Sequence, residues 1–382
     1  MRASPPLSAP GRPYIGGQAV LEGVMMRAPM SFAIVVRRSD GSLSVRERAM
    51  VKIARGAATW PLVRGVASVV ESLKLGSEAL RFSVEQMEQD LTLAAAQDAA
   101  RAGPGLGLLS AFGVSLFSLV TGDGVPAPGA KEPQSAGDRA GTWLMLAVAI
   151  AFFVAIPQAA AAGASRLLRL GLEVQSAPFQ AMTGAFKLTV VVGYLLLIRR
   201  VPDIRRMFQY HGAEHKTITT YETGDPLTVA SARPKTTLHP RCGTTFLVMV
   251  ALVSILVFTA IGAALPHIHT GSALLDNVVF FFEKLPFLPL IAAATFELQR
   301  VMARHCSTGP LRVLLWPGFL VQKITTAEPS DDQLEVALAS LRVTLFRQGA
   351  GPVGGDAHAS EEDVSFPDYD ALVAAGTLRV AA

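Results

Sequence analysis

Apolar residues along this chain are bunched rather than spread. Four runs, 143–163, 182–198, 245–265 and about 285–302, approach the roughly 20 apolar residues that a bilayer core asks of a helix. A fifth, 106–120, is shorter and carries serines and glycines, so it could span, lie in the interface or pack on the bundle. Upstream the period changes. Residues 32–38 and 42–46 read as two strands, and Ser39-Asp40-Gly41 between them carries the Asp-Gly cue of a hairpin. From Leu62 to Gln97 apolar residues return at helical spacing (Val66, Val69, Val70, Leu73, Leu80, Val84), which predicts one or two amphipathic helices interrupted near Gly76.

These patterns predict a mainly α, polytopic helical membrane protein of about four spans with a small α+β cytoplasmic N-terminal region. Five regions follow: 12–103, the hairpin and amphipathic helices; 104–141, a short apolar segment and a loop rich in Pro, Gly and Ala; 142–303, the transmembrane bundle, with a polar segment at 199–243; 304–348, a cytoplasmic C-terminal region; and 349–382, a disordered tail.

Composition agrees with a membrane protein. The 382 residues are 51% hydrophobic and 17% charged, with a mean hydropathy of +0.39, too apolar for an ordinary soluble chain. The start of the chain, rich in Pro and Ser, lacks the apolar core of a signal peptide. Two cysteines, Cys242 and Cys306, cannot build a disulfide framework and fit a reducing setting. Net charge is only +4, so its placement matters more than its size, and no nucleic-acid partner is expected.

Lys and Arg number thirteen in residues 1–103, eight in 199–243 and seven after Glu297, whereas 266–276 has none. The positive-inside rule therefore puts both termini and the segment 199–243 in the cytoplasm of a multi-pass inner-membrane protein. Four spans satisfy that parity and five do not. The cost is mild: Arg166 and Arg169 fall on the far side, near a span end where long side chains can snorkel. Arg199, Arg200, Arg205 and Arg206, directly after a span, read as topology anchors.

The polar segment carries the candidate chemistry. His211-Gly212-Ala213-Glu214-His215 places two imidazoles one helical turn apart, able to grip one cation, with a carboxylate beside them that could act as a general base. His239 and Cys242 follow at a spacing of three. With only 7 His and 2 Cys in the chain, four of them in one stretch favours a site over scatter. Imidazole and thiolate select Zn²⁺ or a similar divalent ion over Mg²⁺ or Ca²⁺. If all four groups ligate, the site is closed and structural; if one stays free, hydrolysis becomes available.

Three long motifs carry a family resemblance. They are the stretch from Tyr14-Ile15-Gly16-Gly17 to Met26-Arg27, the block from Asp203 to Lys216 with His239-Pro240-Arg241-Cys242-Gly243-Thr244, and the stretch from Trp316-Pro317-Gly318 to Glu328-Pro329. They resemble the DUF1385 (YqhQ-like) family of bacterial membrane proteins, described as predicted metal-dependent enzymes. The resemblance covers most of residues 13–341 and implies a metal-dependent enzyme without naming its reaction. Two positions depart from the family pattern: Thr183-Gly184 stands where a Glu-Gly pair is expected, and Phe296 stands in place of a tyrosine.

Other candidates carry alternatives. Glu297 lies in an apolar run, where a carboxylate is costly unless it is paired or functional; it is either a metal ligand or the partner of Arg300 or Arg304. Glu222 reads as an exposed residue before the Gly224 terminator, and Glu283 and Lys284 as the end of a loop. Gly16-Gly17 signals either a close backbone approach, with Glu22 and Arg27 supporting an anion or the metal ligands, or a sharp turn into the hairpin.

The leading functional reading is a cytoplasm-facing metalloenzyme acting hydrolytically on a lipid, peptide or phosphoester in the bilayer. In it His211 and His215 bind the ion, His239, Cys242 or Glu297 completes the shell, and Glu214 is the base. A non-catalytic scaffold stapled by a structural metal competes with it. A transporter or channel using Glu297 is weaker, because the apolar runs hold few charges and no internal repeat is evident. No Gly-rich phosphate loop, G-x-S-x-G elbow or Cys-x-x-Cys pair occurs. The sequence leaves the oligomeric state open.

Overall fold

A computed structural model of the chain describes residues 12–50, 60, 63–97, 148, 151–264, 270–305, 310–350 and 363–375. Strands β1 (Gly16–Val20), β2 (Gly23–Ala28), β3 (Ser31–Arg37) and β4 (Leu43–Ala49) form an antiparallel meander. A fifth strand, β5 (Val364–Phe366), pairs with β4. The hairpin expected at the Asp-Gly pair is present: Gly41 takes a positive φ of 89°, and Asp40 accepts the Ser42 N–H at 2.9 Å.

The opening signature forms two further strands, which sequence reading missed. Val20 pairs directly with Gly23, so the chain reverses in two residues and Glu22 adopts a left-handed φ of 54°. A Cβ on Gly23 would lie 2.5 Å from the Val35 carbonyl oxygen, which explains the glycine there.

The sheet is covered on both faces, and its side chains divide by the strand period of two. Met25, Phe32, Ile34 and Val36 point to helix α1 (Val63–Gln97) and the bundle. Val24, Met26, Ala33 and Val35 point the other way, to helix α10 introduced below. Helix α1 runs unbroken through Gly76, correcting the expected interruption. Glycine costs a helix interior about 1 kcal/mol, and Leu75, Ala79, Leu80 and Phe82, buried against the sheet on either side of it, offset that cost.

After a π-helical turn (Ala151–Ala155) come α2 (Ile156–Leu167), α3 (Ala177–Ile198), α4 (Pro202–Thr223), the short α5 (Val229–Ala232), α6 (Gly243–Ala264) and α7 (Ala273–Lys284). The chain continues with a 3₁₀ turn (Leu285–Phe287), α8 (Leu288–His305), a second 3₁₀ turn (Pro310–Leu315), α9 (Trp316–Thr325), α10 (Asp331–Ala350) and α11 (Tyr369–Ala374). Strand β5 and α11 fall inside the stretch expected to be a disordered tail. Phe366 and Leu372 are buried with α10, which holds these two elements in place.

Among the described residues, three helical stretches are long and apolar enough to cross a membrane: Ala177–Ile198, Gly243–Gly262 and Leu274–Met302. They match three of the four expected spans. Of the first, 143–163, only residue 148 and residues 151–163 are described, and 106–120 lies outside the described residues.

The third span is longer than expected. Glu283 and Lys284 do not end a loop; they lie in α7, inside the 29-residue apolar stretch. Lys284 is buried and donates to Gln158 Oε1 at 2.9 Å. Lys187 of α3 donates to Ser254 Oγ of α6 at 3.1 Å. Both ammonium groups face the Phe258 ring, at 5.1 and 5.6 Å from its centre, an arrangement in which ring faces and neutral dipoles carry the cations. The bundle interior therefore holds more charge than the apolar runs suggested.

The end of α3, the start of α6 and the end of the third span meet at one end of the bundle. There α4 packs on β1 and on α10, so the sheet and the polar segment share that end.

Candidate metal centre

Helix α4 carries the histidine motif. Pro202 in its first turn presets the helical φ, Asp203 complements the N-terminal dipole, and Gly224 ends the helix in a left-handed conformation (φ 79°). The helix is buried on nearly all sides, between the sheet, the 325–329 segment and the 236–243 loop. A side chain at Gly212 would collide with the Ala327 carbonyl. Even Lys216 is 2% exposed; it donates to the Arg233 carbonyl oxygen at 2.7 Å and pairs with Glu328.

His211 and His215 sit one turn apart with ring centres 4.4 Å apart. The Nδ1 atoms of both rings point at backbone carbonyls, His211 at Thr325 O (2.9 Å) and His215 at Thr237 O. Such bonds set the tautomer, with the proton on Nδ1 and the Nε2 lone pair free. Both Nε2 atoms converge on Cys242. His211 Nε2 is 3.1 Å from Cys242 Sγ, and one ligand atom from each of the three residues lies within 4.8 Å of the others. Burial holds His215 neutral by pushing it below the usual imidazole range.

Cys242 immediately precedes α6. Its sulfur accepts the Thr244 N–H at 3.4 Å and contacts the Thr244 hydroxyl at 3.1 Å, and its carbonyl accepts from Gln299 Nε2 at 2.9 Å. The donor set fits a divalent ion. Nε2 of His215 is buried with no hydrogen-bond partner, an arrangement that is costly unless a cation takes the lone pair. Two imidazoles and a thiolate with oriented second nitrogens suit zinc.

Glu214 stands beside this cluster, with Oε2 4.0 Å from His211 Nε2 and the residue 5% exposed. Strand β1 reaches it through a glycine: a Cβ on Gly17 would lie 2.7 Å from both Cγ and Oε1 of Glu214. That is the close approach the Gly-Gly pair signalled.

The other candidates go elsewhere. His239 is buried, its Nδ1 accepts the Arg241 N–H (3.4 Å) and its Nε2 lies 3.3 Å from Glu222. Burial lowers its pKa to about 4. The ring is therefore neutral and uses both nitrogens inside the protein. Glu222 is not the exposed residue the sequence suggested; it is paired with His239 and Arg241. Glu297 is paired with Arg64 of α1 through two bonds of 3.0 and 2.6 Å. Glu22 binds Arg206 and Tyr210 of α4, tying the first hairpin to the histidine helix. Arg27 pairs with Glu71 at 3.6 Å.

Sequence reading missed the residue that fixes the loop carrying His239. The amide of Gln322 accepts the His239 N–H at 2.9 Å and donates to the His239 carbonyl (2.7 Å) and the Thr245 hydroxyl (2.9 Å). Its only signal was membership of the C-terminal motif. The substituted positions are also accommodated: Thr183 bonds back to the Phe179 carbonyl at 2.9 Å, Gly184 faces Ile255, and Phe296 lines the cleft over the cluster. That cleft, of about 720 Å³, is lined by His211, Glu214 and Cys242 together with α1, Phe246 and Phe296.

Fold and site together define a polytopic helical membrane protein with a buried His/His/Cys cluster able to hold a metal ion. The family model described as "Protein of unknown function (DUF1385)" matches residues 60–346, and the chain belongs to that family. It is 28% identical over 342 residues to "Uncharacterized protein YqhQ" of Bacillus subtilis (strain 168), an alignment covering 87% of this chain and 92% of the relative. No solved structure matches.

Proposed function

We propose that this protein is a metal-dependent hydrolase embedded in the cytoplasmic membrane, with its site and both termini on the cytoplasmic side. The observation that carries the reading is the convergence of His211 Nε2, His215 Nε2 and Cys242 Sγ beside Glu214 in the wall of a cleft. A divalent ion, zinc by its donor set, would be held by those three atoms. Three protein ligands leave a coordination position open, as in catalytic rather than structural sites. Bound there, the ion supplies Lewis acidity.

The side chains do the rest. The Thr325 and Thr237 carbonyls hold the imidazoles in the ligating tautomer. Gly17 lets β1 close over Glu214, fixing its carboxylate at the cleft, where it accepts a proton from water. His239 and Glu222 position the loop before Cys242 rather than ligate. The orientation rests on the excess of Lys and Arg at the site end of the bundle and their absence from 266–276.

Glu214→Gln separates an enzyme from a metal-stapled scaffold. The amide keeps size and hydrogen bonding but not basicity. An enzyme loses complementation of a deletion strain while retaining metal and thermal stability. A scaffold complements fully with Glu214→Gln and fails only when a ligand is removed.

A further inference from the structure

Strand β1 is the edge of the sheet and pairs with β2 on one side only. Val20 and Gly23 close a two-residue turn and exchange both of their main-chain bonds. Bonded and unbonded positions alternate along an antiparallel pair. Gly16 and Gln18 therefore also face β2, while Gly17 and Ala19 turn their N–H and C=O groups outward. Among the described residues, none bonds these outward groups.

That open edge lies in the cleft. A strand shows alternate residues to whatever covers one of its faces. Strand β2 does so, lining the cleft with Met25 and Arg27 alone. Strand β1 instead lines it with four consecutive residues, Gly16, Gly17, Gln18 and Ala19, which takes the edge of the strand rather than one face. Its two glycines leave the main chain there uncovered by side chains, as where another backbone approaches closely.

Helix α4 bounds the same cleft with a single stripe, Met207, His211, Glu214, Ile218 and Tyr221, at helical spacing. At 1.5 Å per residue the stripe is about 21 Å long, the reach of about six residues in extended conformation. Edge and stripe meet where Gly17 lies against Glu214, beside the metal cluster. Arg27, Arg64 and Arg241 of the lining are already engaged by Glu71, Glu297 and Glu222, so a phosphate finds little unmatched charge. What the cleft offers a ligand is main-chain hydrogen bonding along β1 and apolar side chains such as Leu75, Phe246 and Phe296.

We propose that the substrate is a polypeptide segment with apolar side chains, bound in extended form as an added strand on the edge of β1 and cleaved beside Glu214. This deepens the hydrolase reading and rests on it. A main-chain edge recognises a peptide backbone, which lipids and phosphoesters lack. Cleavage adds water across one C–N bond. The hydroxyl goes to the carbonyl carbon, and the proton that Glu214 takes from the water passes to the departing nitrogen, giving a carboxylic acid and an amine.

Fluorescence anisotropy with the full-length Glu214→Gln protein in detergent measures binding without requiring metal or turnover. The probe is a labelled pool of acetylated hexapeptides with Lys at both ends and Ala, Val, Leu or Phe at the four central positions. A strand needs only one of its edges to pair. N-methylation of alternate central residues, which spares one edge, should therefore leave binding within a few-fold. N-methylation of all four should weaken it by on the order of 100-fold. Ala19→Pro removes one outward N–H and should weaken the unmethylated pool about tenfold. The methylated pools keep the test decisive if that variant fails to fold. No binding, binding that survives full methylation, equal loss on alternate and full methylation, or unchanged binding to folded Ala19→Pro would overturn the proposal. Zinc-loaded wild type that binds the pool through this edge and leaves it intact would sink the hydrolase and leave the peptide site standing. Turnover of a phospholipid or phosphoester with no peptide bound would keep the hydrolase and sink the peptide.

Discussion

Gly17 on β1 lies directly against the Glu214 carboxylate on α4, so close that an added methyl group would sit 2.7 Å from Glu214 Oε1. Two segments almost two hundred residues apart in the chain therefore meet at the acid beside the metal cluster. The obstacle to a side chain at residue 17 is the end of a flexible side chain rather than backbone. Gly17→Ala should accordingly displace the carboxylate without unfolding the protein.

The expected outcome for Gly17→Ala is a loss of activity on the order of 10²-fold, the scale of a misplaced catalytic group. Metal content and melting temperature should stay near wild type. Complementation at matched expression, with elemental analysis and thermal melting of the purified variant, checks all three. Full complementation would mean that the position of Glu214 is unimportant.

Gln322 holds the loop that delivers Cys242. Gln322→Leu leaves the His239 N–H and carbonyl buried and unbonded, at about 1–3 kcal/mol for each lost partner. Thermal melting in detergent should show a clear drop, and the variant should retain metal less well than wild type. An unchanged melting temperature would show that water or another side chain replaces the amide.

Glu47 provides a pH test away from the site. It lies on β4 opposite Ala33, on the sheet face that packs against α10, and its Oε2 is buried without a hydrogen bond. Burial raises its pKa from 4.5 to about 7, despite the Arg347 guanidinium nearby. Between those values the folded protein keeps a proton that the unfolded chain releases. Stability from this group is thus present in acid and declines as pH rises from about 4.5 through about 7. Glu47→Gln should raise the melting temperature at pH 8 and match wild type near pH 4. Parallel melting-versus-pH curves would contradict the assignment.

The sequence showed the site better than the scaffold around it. The spacing of His211, Glu214 and His215 is local and survives in any helix, and Cys242 was legible from the scarcity of its residue type. The pairing of Glu297 with Arg64 and of Glu222 with His239 was not, because each joins segments whose contact depends on tertiary packing. Strands β1 and β2 were hidden for a similar reason. Strand β2 is buried on both faces and β1 opens on two glycines and is fully buried only at Val20, so no alternation marks either, and their turn is made by Glu22 rather than glycine. Strand β5 was hidden in a tail rich in Ala and Gly, where three residues make no pattern. Lys284 was misread because a charged pair beside a proline looks like a loop until the Gln158 and Phe258 environment is seen.

The account depends above all on a metal ion held by His211, His215 and Cys242. Elemental analysis of the purified full-length protein measures it directly. About one zinc-like ion per chain in wild type, and none in the His211→Ala/His215→Ala double variant, is the expected result from these ligand types. Metal-free wild type, or a double variant with undiminished metal, would contradict it.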